Sequence, residues 1–133
     1  MRAMDNCLSA LIPKAEVAVI DGGDSLRQAV EKLNHYHYAE VPVLGSEGHY
    51  LYSISSSDIL SFLQNRELTL REMEAVHLSE VPIYRPIVPL PIDADEETIV
   101  KALLGQNYVP MVDEHGIFIG IITRKSFYYQ KKG

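Results

Sequence analysis

Ser55 and Asp58 are a hydroxyl and a carboxylate three residues apart, at the predicted start of a helix that carries Ile59. At this spacing the two side chains can cap the first turn of the helix by bonding to its free N–H groups. The same groups could also bind a ligand placed at the helix N-terminus. Both interpretations stay open on the sequence.

A second chemical cluster is Thr123-Arg124-Lys125, at the predicted start of the last helix. Two cations in a first turn oppose the positive end of the helix dipole, so they call for a reason other than helix stability. A bound phosphate is one such reason. The alternative is a solvated basic tail, because Lys131 and Lys132 follow.

Other reactive side chains lack the partners that catalysis or metal binding requires. The pattern His35-Tyr36-His37 with His49 has no third and fourth ligand at a fixed spacing. The serines of "SISSS" have no glycine-flanked turn and no assignable base, and "DGGDS" lacks the Lys-Ser/Thr of a phosphate-binding loop. The single cysteine, Cys7, is expected to be an ordinary thiol. We therefore predict no enzyme activity and no metal site.

The composition suits a small folded protein and disfavours polyanionic partners. The chain has 133 residues, 47% of them hydrophobic and 23% charged, with a formal net charge of -6. This charge opposes binding to nucleic acid or to an anionic membrane, whereas a small anion responds to a local pocket. No apolar run reaches the roughly 20 residues of a membrane span, and the first residues lack a signal-peptide pattern. We expect a cytoplasmic protein.

An internal repeat organises the sequence. A shift of 68 residues aligns residues 39–59 with residues 107–127 without a gap. The identities are Val41/Val109, Pro42/Pro110, Gly48/Gly116 and Ile54/Ile122. The matches carry structure, since they include an apolar run, a turn glycine, a second apolar run and a hydroxyl residue that could cap a helix. Each repeat therefore predicts two strands followed by a helix.

The residues upstream of each repeat predict a further strand and helix. The features of the first half are a strand at 17–20, a capping box at Ser25-x-x-Gln28, and a helix with apolar residues Leu26, Ala29, Val30 and Leu33. The features of the second half are an extended piece at 90–92, a turn and cap at 93–95, a helix with Ile99, Ala102 and Leu103, and strands at 108–112 and 117–122. Each half thus has the order strand, helix, strand, strand, helix.

These elements resemble a tandem pair of cystathionine-β-synthase (CBS) domains, the Bateman module. The carrying stretches are "YAEVPVLGSEGHYLYSISSSDI" and "YVPMVDEHGIFIGIITRKSF". They are similar to the family pattern of a small residue before Pro-Val, a turn glycine, and then Gly-apolar-x-Thr/Ser-x-x-Asp. Two positions depart from it, because Tyr52 stands where the first repeat should have the glycine and Ser126 where the second should have the acid.

The resemblance implies an α/β (α+β) fold of two β-α-β-β-α units packed with pseudo-twofold symmetry. The implied organisation is an N-terminal segment at 1–15, a first CBS unit at 16–64, a connecting segment with one helical stretch at 65–86, and a second CBS unit at 87–133.

The resemblance also implies clefts that bind adenine nucleotides. The implied binding residues are Val17, Ala18, Val19, Tyr38, Ala39, Ser55, Asp58, Thr123, Arg124 and Lys125. The residues at 17–19 would let the base approach the backbone, and those at 38–39 would read the adenine edge. Asp58 would accept from ribose hydroxyls, and the cluster at 123–125 would bind phosphate. We expect one occupied cleft, built chiefly on the first repeat. The alternatives are core packing for residues 17–19, a plain loop for residues 38–39, a helix cap for Ser55 and Asp58, and a basic tail for residues 123–125.

Short stand-alone members of the family include bacterial cyclic-di-AMP-binding proteins, and "GIITRKSF" is similar to their Thr-Arg-Arg segment, with Lys125 in place of the second arginine. This favours cyclic-di-AMP as the ligand. A sensor of AMP, ADP or ATP is an alternative, because cyclic-di-AMP has esterified 3′ oxygens whereas Asp58 could bind a free cis-diol. A ligand-free interaction scaffold is a third possibility. The resemblance further implies a homodimer that controls an unidentified metabolic or stress-signalling enzyme.

Overall fold

The computed structural model describes residues 8–36 and 39–132. Cys7, His37 and Tyr38, which the sequence analysis singled out, lie outside the described residues. The chain forms two compact units. We call Ala18–Ser46 with Leu51–Pro86 the central unit, and Met1–Val17 with Glu47–Tyr50 and Ile87–Gly133 the terminal unit.

The described residues form seven strands and five helices. In chain order they are β1 (Ile12–Pro13), β2 (Ile20–Asp21), α1 (Leu26–Tyr36), β3 (Glu40–Leu44), β4 (Tyr50–Ser55), α2 (Ser56–Arg66), α3 (Leu70–Met73), β5 (Leu90–Pro91), α4 (Glu96–Gly105), β6 (Tyr108–Val112), β7 (Phe118–Thr123) and α5 (Arg124–Lys132). Short 3-10 turns lie at Lys14–Glu16, Ser46–Gly48 and Leu78–Glu80. This is the mixed α/β fold that the sequence predicts.

The central unit is built on a three-stranded sheet in the order β2-β3-β4, with β2 parallel to β3. The predicted capping box begins α1, since the Ser25 Oγ accepts from the Gln28 N–H at 3.2 Å and the Gln28 side chain accepts from the Ser25 N–H at 2.9 Å. The buried core residues of this unit are Ile20, Leu26, Ala29, Leu33, Val41, Val43, Ile54, Ile59, Phe62, Met73, Leu78 and Val81. The predicted apolar stripe of α1 is therefore confirmed, with Val30 at its partly buried edge.

The predicted first strand is misplaced. We expected it over residues 17–20, but β2 covers only Ile20 and Asp21, which pair with Val43 and Leu44 of β3. Val17 ends the turn at Lys14–Glu16 and its N–H donates to the Lys14 carbonyl at 3.0 Å. Branched side chains alone do not form a strand when no partner strand lies opposite.

The terminal unit has a four-stranded sheet in the order β1-β7-β6-β5. β6 and β7 are antiparallel, and β5 is parallel to β6. Asp95 caps α4, as predicted, by accepting from the Thr98 N–H at 2.9 Å. The buried core consists of Ala10, Ala94, Ile99, Leu103, Val109, Met111 and Ile122, and Ala102 and Phe127 pack at its edge. The predicted strands and helix of the second half are thus present, within about one residue of their expected bounds.

The turn before β4 belongs to the terminal unit although its sequence lies in the first repeat. The Tyr50 N–H donates to the Gly116 carbonyl at 3.1 Å, and the Tyr50 hydroxyl donates to the Ile87 carbonyl at 3.1 Å. Its ring stacks on Phe118 with a centroid distance of 6.4 Å. Gly48 and Gly116 have φ values of 84° and 81°, so both repeat glycines serve the turns predicted for them.

The N-terminal segment adds a strand that the sequence did not predict. β1 pairs antiparallel with β7, placing Ile12 opposite Ile121 and Pro13 opposite Gly120. A Cβ atom at Gly120 would lie 2.2 Å from the Ile12 carbonyl oxygen. Only a glycine at this position therefore lets the two backbones approach so closely.

Within the described residues, no helix combines the length and the apolar character needed to cross a membrane.

We predict that Gly120→Ala lowers the free energy of unfolding by about 2–3 kcal/mol, because the new methyl group forces β1 away from β7. Urea denaturation measures the change. Gly105→Ala is the matched control, since nothing lies within 4 Å of a Cβ atom there, and its effect should stay within about 1 kcal/mol. Equal unfolding midpoints for wild type and Gly120→Ala would show that β1 does not pack on β7 in solution.

Candidate ligand-binding site

The start of α2 carries the predicted hydroxyl and carboxylate pair. The Ser55 Oγ accepts from the Asp58 N–H at 3.0 Å, and the Asp58 Oδ2 accepts from the Ser55 N–H at 3.2 Å. This is a capping box, so the capping interpretation is correct.

Asp58 has more acceptor capacity than the cap uses. Its side chain is buried, with 6% relative exposure. The Oδ1 atom accepts only from the backbone N–H of Tyr84, at 3.3 Å, among the described residues. No cation in the described part of the chain pairs with this carboxylate, although buried aspartates are ordinarily paired. Two long hydrogen bonds leave lone pairs on both oxygens that could accept from a hydroxyl group.

Ala39 lies beside this helix start. Its carbonyl accepts from the Ser56 N–H at 2.9 Å. Ala39 and Ser56 also line one part of a largely apolar groove of about 550 Å³ between α1 and α2. The structure thus brings Ala39, Ser55 and Asp58 together, while Tyr38 lies outside the described residues.

The candidates near the first strand are partly buried. Val17 belongs to the terminal unit, whereas Ala18 and Val19 belong to the central unit. Ala18 packs against the central core. Core packing accounts for the contacts of Ala18.

The start of α5 repeats the cap of α2 with a different partner. The Thr123 Oγ1 accepts from the Ser126 N–H at 3.0 Å, and the Ser126 Oγ accepts from the Thr123 N–H at 2.9 Å. Ser126 therefore fills the capping role of the missing acid. It offers a hydroxyl rather than a carboxylate, so this helix start has no anionic acceptor equivalent to Asp58.

Arg124 has a structural role that the sequence did not suggest. Its Nε and Nη2 atoms donate to the carbonyls of Leu103 and Gln106, each at 2.9 Å. These carbonyls lie at the C-terminal end of α4, where a cation is favourable. The neighbouring Lys125 is exposed. Arg124 thus no longer needs a phosphate to explain its position, and phosphate binding by Lys125 stays a prediction.

Tyr52 stands at the position that the 68-residue shift aligns with Gly120. It packs at the edge of the central core. Its hydroxyl oxygen is buried and has no hydrogen-bond partner among the described residues. This burial raises the pKa of the Tyr52 hydroxyl, because the charged form would lose its hydration.

The described residues contain no cluster of three or more His, Cys, Asp or Glu side chains that could hold a metal ion. His37 lies outside that part of the chain, so the structure describes only one of the two histidines of this pattern, His35.

The comparison with protein families settles the kind of fold. The CBS domain model matches residues 9–65 and again residues 78–129. The chain belongs to the CBS-domain family. Each of the two matches contains one of the two repeats, and each begins upstream of the first strand of its half.

Solved CBS structures resemble this chain over most of its length. One is CbpB in complex with c-di-AMP, with a TM-score of 0.83 and 28% identity, covering 92% of this chain and 81% of that one. Another is CbpB from Streptococcus agalactiae, with a TM-score of 0.82 and 28% identity, covering 97% of this chain and 84% of that one. CBSX2 in complex with AMP shares the fold, with a TM-score of 0.71 and 20% identity, covering 98% of this chain and 95% of that one. A search of curated proteins gave no match.

We predict that Tyr52→Phe raises the free energy of unfolding by about 1 kcal/mol, because it removes a buried hydroxyl that has no partner. Tyr50→Phe is the matched control. It deletes a hydroxyl that donates to the Ile87 carbonyl, so it should lower stability by about 1 kcal/mol. Urea denaturation compares both variants with wild type. A loss of stability in Tyr52→Phe would mean that the Tyr52 hydroxyl is satisfied in solution.

Proposed function

We propose that this CBS pair is a non-enzymatic sensor of adenine nucleotides, that its ligand is cyclic-di-AMP, and that occupancy controls a partner enzyme. The observation that carries the proposal is the similarity to CbpB, whose structure was determined with c-di-AMP, at 28% identity over 92% of this chain. The chemistry of the described residues supports it independently.

Asp58 supplies the ribose acceptor. A buried carboxylate without a cationic partner gains most from a ligand hydroxyl, because a hydrogen bond to a charged group is stronger than one between neutral groups. Cyclic-di-AMP keeps one free hydroxyl on each ribose when its 3′ oxygens are esterified. Ser55 and Ala39 lie at the same helix start, where backbone groups can meet the ligand. We assign the base-binding role to Ala18, Val19, Ala39 and Tyr38.

The terminal unit supplies the cations. Lys125 is exposed and has no role in capping, so we assign it to a ligand phosphate. Arg124 donates to two carbonyls at the end of α4. We assign the remaining N–H groups of its guanidinium to a ligand phosphate as well. Val17 and Thr123 complete the set of ligand residues that we propose in this unit.

A mononucleotide sensor is the second candidate. Asp58 favours it, because AMP, ADP and ATP carry a free cis-diol that offers the carboxylate two donors. CBSX2, with AMP bound, shares only 20% identity, which shows the fold alone. A ligand-free interaction scaffold would leave the buried Asp58 carboxylate with two long backbone hydrogen bonds and no further donor, so we rank it third.

We also propose that the protein acts as a homodimer. Leu60 on α2 and Tyr128 on α5 occupy equivalent positions of the repeat. Both are exposed, at 57% and 58%. Leu104 on α4 is 79% exposed. Exposed apolar residues repeated on both units favour a protein contact over solvent. A sensor without a catalytic domain acts through another protein, and ligand binding would shift which surface that enzyme meets.

We predict that calorimetric titration detects binding of cyclic-di-AMP more tightly than of AMP, ATP or S-adenosylmethionine. Lys125→Met should weaken cyclic-di-AMP binding about tenfold, because a phosphate loses a cation. The control is Lys101→Met, an exposed lysine of the same unit whose side chain is 75% exposed. Preference for AMP or ATP would support the mononucleotide sensor. No detectable binding of any of the four ligands would support the interaction scaffold instead. Equal cyclic-di-AMP affinities of Lys125→Met and Lys101→Met would show that Lys125 does not contact the ligand.

We predict that Leu104→Lys weakens the dimer at least tenfold, because a buried charge replaces an apolar contact. Sedimentation velocity over a range of concentrations measures the change. Glu114→Lys, in an exposed turn, is the control and should leave the dimer intact. A wild-type protein that sediments as a monomer at all concentrations would contradict the proposed assembly.

A further inference from the structure

Asp58 is held from two separate parts of the central unit. Its Oδ2 atom accepts from the N–H of Ser55 at 3.2 Å, within the same cap. Its Oδ1 atom accepts from the N–H of Tyr84 at 3.3 Å, 26 residues further along the chain. Both donors are backbone groups, whereas the side chain of Tyr84 points to solvent with 62% exposure for the residue.

Two donors on separate oxygens fix the plane of a carboxylate. With only the cap bond, the group could turn about its Cβ–Cγ bond, a torsion with a broad energy minimum. With both oxygens held, the remaining lone pairs point in set directions. The buried carboxylate is therefore an oriented acceptor before any ligand arrives.

We propose that the backbone N–H of Tyr84 is a positioning group that orients the Asp58 carboxylate to accept a ribose hydroxyl of the ligand. This inference rests on the proposed function. It assigns a role in ligand selectivity to a segment, residues 83–85, that carries no recognisable binding motif. The Tyr84 side chain plays no part in it, since the donor is the main chain.

A proline at position 84 tests the inference, because proline is the one residue that lacks a backbone N–H. Tyr84→Ala is the matched control, since it removes the side chain and keeps the donor. The probes are cyclic-di-AMP and its analogue with 2′-deoxyribose in both nucleosides. The measured quantity is the ratio of their dissociation constants. A general structural defect would weaken both ligands alike and leave this ratio unchanged.

Wild type and Tyr84→Ala should bind the ribose ligand at least tenfold more tightly than the deoxyribose analogue, because the hydroxyl bonds to a charged acceptor. Tyr84→Pro should reduce this ratio to about threefold or less, towards the value for Asp58→Asn. An unchanged ratio in Tyr84→Pro overturns the inference. A wild-type ratio near one overturns it too, while leaving nucleotide binding in place. Failure of wild type to bind either ligand counts instead against the proposed function.

A second measurement applies if Tyr84→Pro does not fold, which its thermal unfolding curve would reveal. Amide resonances of the wild-type protein are followed while each probe is added. Cyclic-di-AMP should shift the Tyr84 amide more than the deoxyribose analogue does, because a hydroxyl on Asp58 withdraws charge from the oxygen that Tyr84 faces. Equal shifts with the two probes would contradict the inference.

Discussion

Each repeat turns from a strand into a helix without a loop residue, and this constraint shapes both units. β4 ends at Ser55 and α2 begins at Ser56, while β7 ends at Thr123 and α5 begins at Arg124. The first N–H groups of a helix have no partners within it. Because no loop intervenes, the last strand residue must itself be the cap. A residue with a good capping side chain is therefore favoured at this position, and the two repeats use Ser55 and Thr123.

Each cap has a second hydrogen bond, in which a side chain three residues into the helix accepts from the N–H of the cap residue. The two units use different residues for this bond. Asp58 and Ser126 accept equivalent bonds from the backbone of the preceding cap residue. After capping, a carboxylate keeps its negative charge and several acceptor lone pairs, whereas the uncharged Ser126 hydroxyl keeps one lone pair and donates its proton to the Thr123 carbonyl. Capping and ligand recognition are thus compatible functions of one side chain. The exchange of acid for hydroxyl removes an anionic acceptor while the helix cap is kept.

Local features of this fold could be predicted from the sequence, and distant ones could not. The caps at Ser25, Ser55 and Asp95 were predictable because donor and acceptor lie within one helical turn. The pairing of β1 with β7 and the bond from Tyr84 to Asp58 join residues far apart in the chain. No local sequence pattern predicts either contact. Gly120 could in principle have indicated a close backbone approach in the second sheet. Its repeat partner is Tyr52, so the glycine is present in only one of the two sheets.

The adjacent cations of α5 separate into two kinds of residue when their contacts are considered. Arg124 donates to two carbonyls at the end of α4, and the favourable interaction with that helix end offsets its unfavourable place in the first turn of α5. Its planar fork can reach both carbonyls at once, which the ammonium group of a lysine could not do. Lys125 has an exposed side chain at an equally unfavourable place and gains no such compensation from capping. Of the two charges, the arginine is therefore the one that a neighbouring helix end stabilises, whereas the lysine side chain is exposed to solvent.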